Sequence, residues 1–212
     1  MTTSSSTATA GTSGASWVAG ALRVHADLEL HGEEVQRRRA ANATRPVQDL
    51  DTLRFLLTLS VNQPVAIAGL GAYERGLIRR AVRFGFAEKR TIAGNRPAVV
   101  RKAEPPVTVE LVSVFGPLGR RTLQLATTFA PYARRRLVVP SGHIDETLLL
   151  EANYYGVGVT VTDDDDERTL VTPAPFQPTR FTGASWLFAE RMYAQAFSPA
   201  NATVRASEVE GS

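Results

Sequence analysis

The chain has 212 residues, 43% hydrophobic and 21% charged, enough for one substantial core or two small ones and unlike a collagenous or low-complexity chain. It contains no cysteine, which excludes disulfide frameworks, thiol nucleophiles and thiolate zinc sites. The net charge is only +3, but its distribution is uneven. Residues 73–102 hold nine basic against two acidic residues, a local +7, leaving 15 against 19, or −4, for the rest. Such asymmetry suits a polyanionic partner at one place on the surface.

In chain order, residues 1–16 are small and polar, with neither a basic nor an apolar block, and are expected to form a disordered arm rather than a signal peptide. No apolar run approaches the roughly 18 to 20 residues that span a bilayer, so a cytoplasmic protein without a membrane partner is expected. The segment 17–48 is expected to hold a strand and a connector. Leu22, Val24, Ala26, Leu28 and Leu30 alternate with polar residues, the period of a strand with one buried face. The following EEVQRRRAANATR reads as a short helix or a charged connector, ended by Arg45-Pro46.

From residue 49 the spacing turns helical. Asp51 is the expected N-cap, with Leu53, Leu56 and Leu57 on one face. A second short helix is expected from Pro64 to the Gly69-Leu70-Gly71 break. A third runs from about Tyr73 to Phe84, with Leu77, Ile78, Ala81 and Val82 on one face and Arg75, Arg79 and Arg83 opposite. Gly85 closes it, and Gly94-Asn95 supplies the turn of a hairpin between FAEKRTI and PAVVRK.

Three short helices followed by a basic hairpin resemble a winged helix-turn-helix, with "VRFGFAEKR" ending a recognition helix and "TIAGNRPAVVRK" forming the wing. The resemblance covers residues 49–104 and implies binding of double-stranded DNA. The contacts it implies are Tyr73, Arg75, Arg79, Arg80 and Arg83 from the helix, and Lys89, Arg90, Arg96 and Arg101 from the wing. Arginine suits this work because its planar fork matches guanine edges and phosphate oxygens.

Residues 105–199 follow the Pro105-Pro106 boundary and read as strand, helix, strand, helix and two strands about the acidic run Asp163 to Glu167, then a helix. Such alternation implies a small three-layer α/β domain with a mostly parallel sheet, α/β in class and α+β for the chain as a whole. "VELVSV" followed by "QLATTFAPYARRRLVVPSGHIDETLLLEANYYGVGVTVT" resembles the second half of the PD-(D/E)XK restriction-endonuclease-like fold. Nuclease chemistry there needs two acids for a divalent cation and a lysine to orient water. This chain has Glu110-Leu111-Val112, with valine at the lysine position, so the resemblance implies a non-catalytic relative. The alternative is a magnesium-dependent nuclease using Glu110, Asp27 and Gln124, with Asp27 available only if the winged helix is inserted into the nuclease fold.

No other catalytic residue, metal ligand or cofactor is expected. Ser141, His143 and Asp145 are too close on one loop to converge as a triad, and Ser141 or Asp145 reads better as a helix cap. His25, Asp27, His31 and Glu33 lack a recognised metal-ligand spacing, and Asp163 to Asp166 lacks the glycine and distal glutamate of an EF-hand. The combined expectation is a transcriptional regulator or DNA-associated accessory factor. Its C-terminal domain would support a homodimer, hold a partner or add DNA contacts, and residues 200–212 would form a frayed tail.

Overall fold

The computed structural model describes residues 13–43, 45–163, 166–178 and 180–197. It begins with β1 (Ser13–Ala19) and β2 (Leu22–Leu30), an antiparallel pair, followed by α1 (Gly32–Ala40). Next come α2 (Leu50–Leu57), β3 (Pro64–Ala66), α3 (Ala72–Arg83), β4 (Ala87–Ile92) and β5 (Arg96–Arg101). The chain then continues through β6 (Val107–Phe115), α4 (Arg120–Thr127), β7 (Arg134–Pro140), α5 (Glu146–Tyr154), β8 (Val157–Asp163), β9 (Asp166–Val171) and α6 (Gly183–Ala196). Among the described residues no helix is long and apolar enough to cross a membrane.

The large sheet runs in the order β1-β2-β6-β7-β8-β9. Only β6–β7 and β7–β8 pair parallel, while β1–β2, β2–β6 and β8–β9 are antiparallel, so the sheet is mixed rather than mostly parallel. The difference arises at the N-terminal end. β2 lies beside β6, with Leu30 opposite Val107, so the segment expected as an arm and a connector supplies two strands of the main sheet. Ser13 to Ser16 therefore belong to β1 rather than to a free arm, while residues 1–12 and the expected tail at 200–212 lie outside the described residues. Residues 31–106 form an insertion between two neighbouring strands, and the main sheet is not confined to 105–199.

The period-two alternation of β2 sets the two faces of the sheet. Val24, Ala26 and Leu28 are fully buried and lie opposite Val114, Val112 and Val109. The helices pack on this face through Leu123 and Ala126 of α4, Ala152 of α5, and Ala189 and Met192 of α6. Each large aliphatic side chain so buried contributes about 1.5–3 kcal/mol of hydrophobic stabilisation. The alternate positions His25 and Asp27 point the other way and remain about one-third exposed, at 35% and 34%.

The insertion has a second core of its own, in which Leu53 and Leu56 of α2 meet Leu77, Ile78 and Ala81 of α3, Phe86, Val99 and Trp186. Trp186 thus belongs to this core rather than to the sheet, and α6 joins both. Asp49, not Asp51, caps α2 by accepting from the Asp51 N–H at 3.1 Å. The expected helix at Pro64 is a strand: β3 pairs with β5, Val65 opposite Val99 and Ala66 opposite Ala98, giving the order β3-β5-β4. A turn at 67–71 leads directly into α3. Asp145 caps α5, accepting from Thr147 N–H at 2.8 Å, whereas Ser141 donates to Asp163.

A buried ionic hub ties the insertion to the sheet. Arg38 of α1, fully buried, donates Nε to Glu34 at 2.6 Å and both terminal nitrogens to Glu190 of α6 at 2.8 and 2.6 Å. It also donates to the Glu104 carbonyl at 3.0 Å, while Glu190 accepts from Trp186 Nε1 at 3.0 Å. Arg37 forks onto Glu34 at 2.7 and 2.8 Å and reaches the Gly85 carbonyl at the end of α3. Glu34 and Glu190, carried by α1 and α6, together match the fork of Arg38. A buried ion pair of this kind survives because its charges and lone pairs are all answered.

Candidate nucleic-acid interface

The basic stripe follows from the amphipathic pattern of α3. Leu77, Ile78 and Ala81 bury one side of the helix, and Arg75, Arg79 and Arg83 emerge on the other, each exposed. Glu74, the acid nearest Arg75, is engaged elsewhere: its carboxylate accepts from the Gly71 N–H at 2.7 Å and fastens the start of the helix. Arg75, Arg79, Arg83 and Lys89 make no side-chain hydrogen bond or ion pair with any described residue, so their charge faces solvent.

The hairpin follows directly from the helix end. Gly85, at φ 73°, turns the chain out of α3. Gly94 at φ 76° and Asn95 at φ 56° make the tight reversal between β4 and β5, a conformation other residues adopt only with strain. Arg96 folds back on this tip, its Nε donating to the Ala93 carbonyl at 3.1 Å, and stays exposed.

The remaining expected contacts divide differently. Arg80 pairs with Asp49, and Tyr73 donates its hydroxyl to Asp51 at 2.9 Å, so both reinforce the junction of α3 with α2. Burial alone would raise the Asp49 carboxyl, but the Thr52 hydroxyl, the Arg80 charge and the Asp51 and Thr52 N–H groups hold it below its ordinary range. Arg90 pairs with Glu88, which Lys102 also approaches at 3.5 Å. Arg101 faces inwards: it is only 8% exposed, and donates Nε to the Ala103 carbonyl at 2.9 Å and Nη1 to the Leu56 and Leu59 carbonyls at 3.3 Å. Its guanidinium lies 4.7 Å from the Trp186 ring. Arg101, expected among the exposed contacts of the hairpin, is instead a buried residue of β5 that braces the end of α2. The last four residues of β5, Ala98 to Arg101, are buried in succession, so the inner end of the strand displays no side chain to solvent.

The carboxylates of the nuclease alternative lie on the less covered face of the large sheet. Asp27 pairs in register with Leu111, and Glu110 sits at the irregularity where β2 and β6 shift register. The insertion that this alternative requires is present, but the donors do not suit a resident divalent cation. A hydrogen bond from His25, opposed by burial and helped by the His25, Arg136 and Arg134 charges, holds the Asp27 carboxyl below its usual range. Arg134 also approaches Glu110 at 4.0 Å. Val112, at the lysine position, is fully buried in the core, and Gln124 is exposed on α4, which packs against the opposite face. Among the described residues no cluster of three His, Asp or Glu could hold a metal.

Two polar arrangements are not evident from the local pattern. Ser16 and His25 Nδ1 lie 2.8 Å apart, and Arg136 donates to Ser113 at 2.8 Å, which extends the Asp27 cluster across neighbouring strands. The alternation of β2 places His25 and Asp27 on one face, but pairing with β6 and β7 is what adds Ser113 and Arg136. His31 does not join them, because its ring bonds to the Pro105 carbonyl and the Thr108 hydroxyl, both at 2.8 Å. No family model matches this sequence, and neither the curated proteins nor the solved structures yield a match.

Proposed function

We propose that this protein binds double-stranded DNA through α3 and the β4–β5 hairpin, as a transcriptional regulator or an accessory factor on DNA. The observation that carries this reading is the set Arg75, Arg79, Arg83, Lys89 and Arg96. These are five exposed cations without a carboxylate partner among the described residues, on one helical stripe and the ribbon that follows it. The order β3-β5-β4 beside α2 and α3 supports the resemblance to a winged helix, with a turn in place of the middle helix. Long-range attraction brings the basic stripe to the duplex, and release of condensed counterions supplies most of the sequence-independent affinity. Arg79 and Arg83, directly opposite the buried side of α3, enter the major groove, and Lys89 and Arg96 reach the adjoining phosphates.

The test is fluorescence anisotropy with a labelled random duplex across a salt series, with and without magnesium. Binding weakens steeply as salt rises, and Lys89→Ala lowers the slope by about one counterion. Unchanged affinity in the Arg79→Ala, Arg83→Ala double variant defeats the reading. Magnesium-dependent cutting of plasmid that Glu110→Ala abolishes decides for a nuclease.

A further inference from the structure

Arg101 leaves a question that its structural role does not absorb. Its charge is more than nine-tenths buried, yet its hydrogen bonds go only to neutral carbonyls, and no described carboxylate lies within ion-pair distance. Burial accordingly pulls its pKa down, against the weaker opposing charges of Glu104 and Glu34. Its second terminal nitrogen, Nη2, has no hydrogen-bond partner among the described residues and keeps some solvent contact. The contrast with Arg38, which is saturated by two carboxylates, is direct.

Arg101 also lines a cavity of ≈ 460 Å³ between the insertion and α6, walled mainly by Tyr132, Phe176, Phe181 and Phe188. His31 borders it with both ring nitrogens already bonded, to the Pro105 carbonyl and the Thr108 hydroxyl. Glu104 borders it too and makes no ion pair with Arg101 within 4.0 Å. A chamber of this volume, apolar and aromatic with one convergent charged donor, has the make-up of a small-molecule site.

We infer that this cavity binds a small monocarboxylate with an aromatic or compact apolar body, its carboxylate on Arg101 Nη2 and its body among Phe176, Phe181 and Phe188. The ligand supplies the anion that the fold withholds from Arg101, and the partly desolvated guanidinium makes that bond a charge-assisted one. Arg101 holds the end of α2 through the Leu56 and Leu59 carbonyls, while Phe188 belongs to α6, so an occupant bridges the insertion and the sheet. This inference goes beyond the DNA reading and does not depend on it.

The experiment uses the full chain with phenylacetate and 4-phenylbutyrate, against the corresponding neutral amides. Melting temperature and the fluorescence of Trp186, stacked on Arg101, are the readouts. The carboxylates raise the melting temperature saturably and bind at least about tenfold more tightly than the amides, the expected margin for a charge-assisted bond to a largely buried guanidinium. Arg101→Gln abolishes that margin. Because this variant also removes structural bonds, Ser185→Phe provides an independent check by filling the cavity from α6 with Arg101 intact, and it abolishes binding of acid and amide alike. Equal effects of acids and amides, no saturable shift, or binding that survives Ser185→Phe overturns the inference.

Discussion

Arginine does opposite work in two helices of this chain. In α1 the run Arg37-Arg38-Arg39 looks as basic as the α3 stripe, yet Arg38 is fully buried and Arg37 half-buried, both engaged by carboxylates. In α3, Arg75, Arg79 and Arg83 stand exposed without a partner among the described residues. The difference lies in which acids the fold brings near. Glu34 serves α1 from one turn away and Glu190 from 152 residues away, while the only acid within α3, Glu74, is spent on the start of its own helix. A cluster of positive charge in a sequence therefore marks an interface only where the topology leaves it unanswered.

Removing the distant acid breaks this comparison most severely. Glu190→Ala leaves Arg38 buried with Glu34 alone, and the expected loss is about 3 kcal/mol, the lower part of the range for a broken buried pair because one partner remains. Urea unfolding measures it, and a loss below about 1 kcal/mol shows that the hub is hydrated and weak. The exposed stripe gives the converse result. Arg79→Ala and Arg83→Ala each weaken duplex binding by about 1–3 kcal/mol while the unfolding midpoint stays within error. Arg80→Ala and Arg90→Ala, which remove arginines already paired with Asp49 and Glu88, weaken it by less.

The two regions were unequally legible in the sequence. α3 and the hairpin tip are local objects, set by 3.6-residue spacing and by Gly94-Asn95, and they form where that spacing puts them. The strand at Pro64 is not legible locally because proline suits a helix start equally well, and only Val99 and Ala98, more than thirty residues away, draw Val65 and Ala66 into a ladder. The main sheet was hidden for the same reason: β2 meets β6 across an insertion of some 76 residues, a distance at which periodicity carries no pairing information. Arg101 is hidden in the same way: the resemblance counts it among the hairpin contacts because it is basic and lies in the hairpin, and neither its charge nor its position records its burial.

Gly76 sharpens the comparison from the solvent side of α3. It lies among the arginines, and a Cβ there would meet only Arg79 Nη2, at an ordinary 3.8 Å. Glycine costs a helix interior about 0.5–1 kcal/mol relative to alanine, so Gly76→Ala is expected to stabilise the fold by about that amount. On the proposed DNA reading, its value at this position is close approach to a groove wall. The same variant therefore raises the unfolding midpoint and weakens duplex binding, and a gain in both would place the DNA on another face.

Asp27 is the intermediate case, a carboxylate neither exposed like the α3 cations nor sealed like Glu190, and its expected effect is the smallest. The hydrogen bond from His25 and the nearby Arg136 and Arg134 hold its folded pKa below the unfolded value, despite the opposing effect of burial. A depressed carboxylate contributes fully above the unfolded pKa, near about 4, and that contribution disappears as pH falls through the folded value. Asp27→Asn should thus lower stability slightly at neutral pH and leave the difference from the parent narrowing only below about pH 4. A difference that does not narrow as the pH falls below about 4 overturns this assignment. Solvent screens a group exposed to this degree, so the acid limb of the unfolding curve, not its height, carries the information.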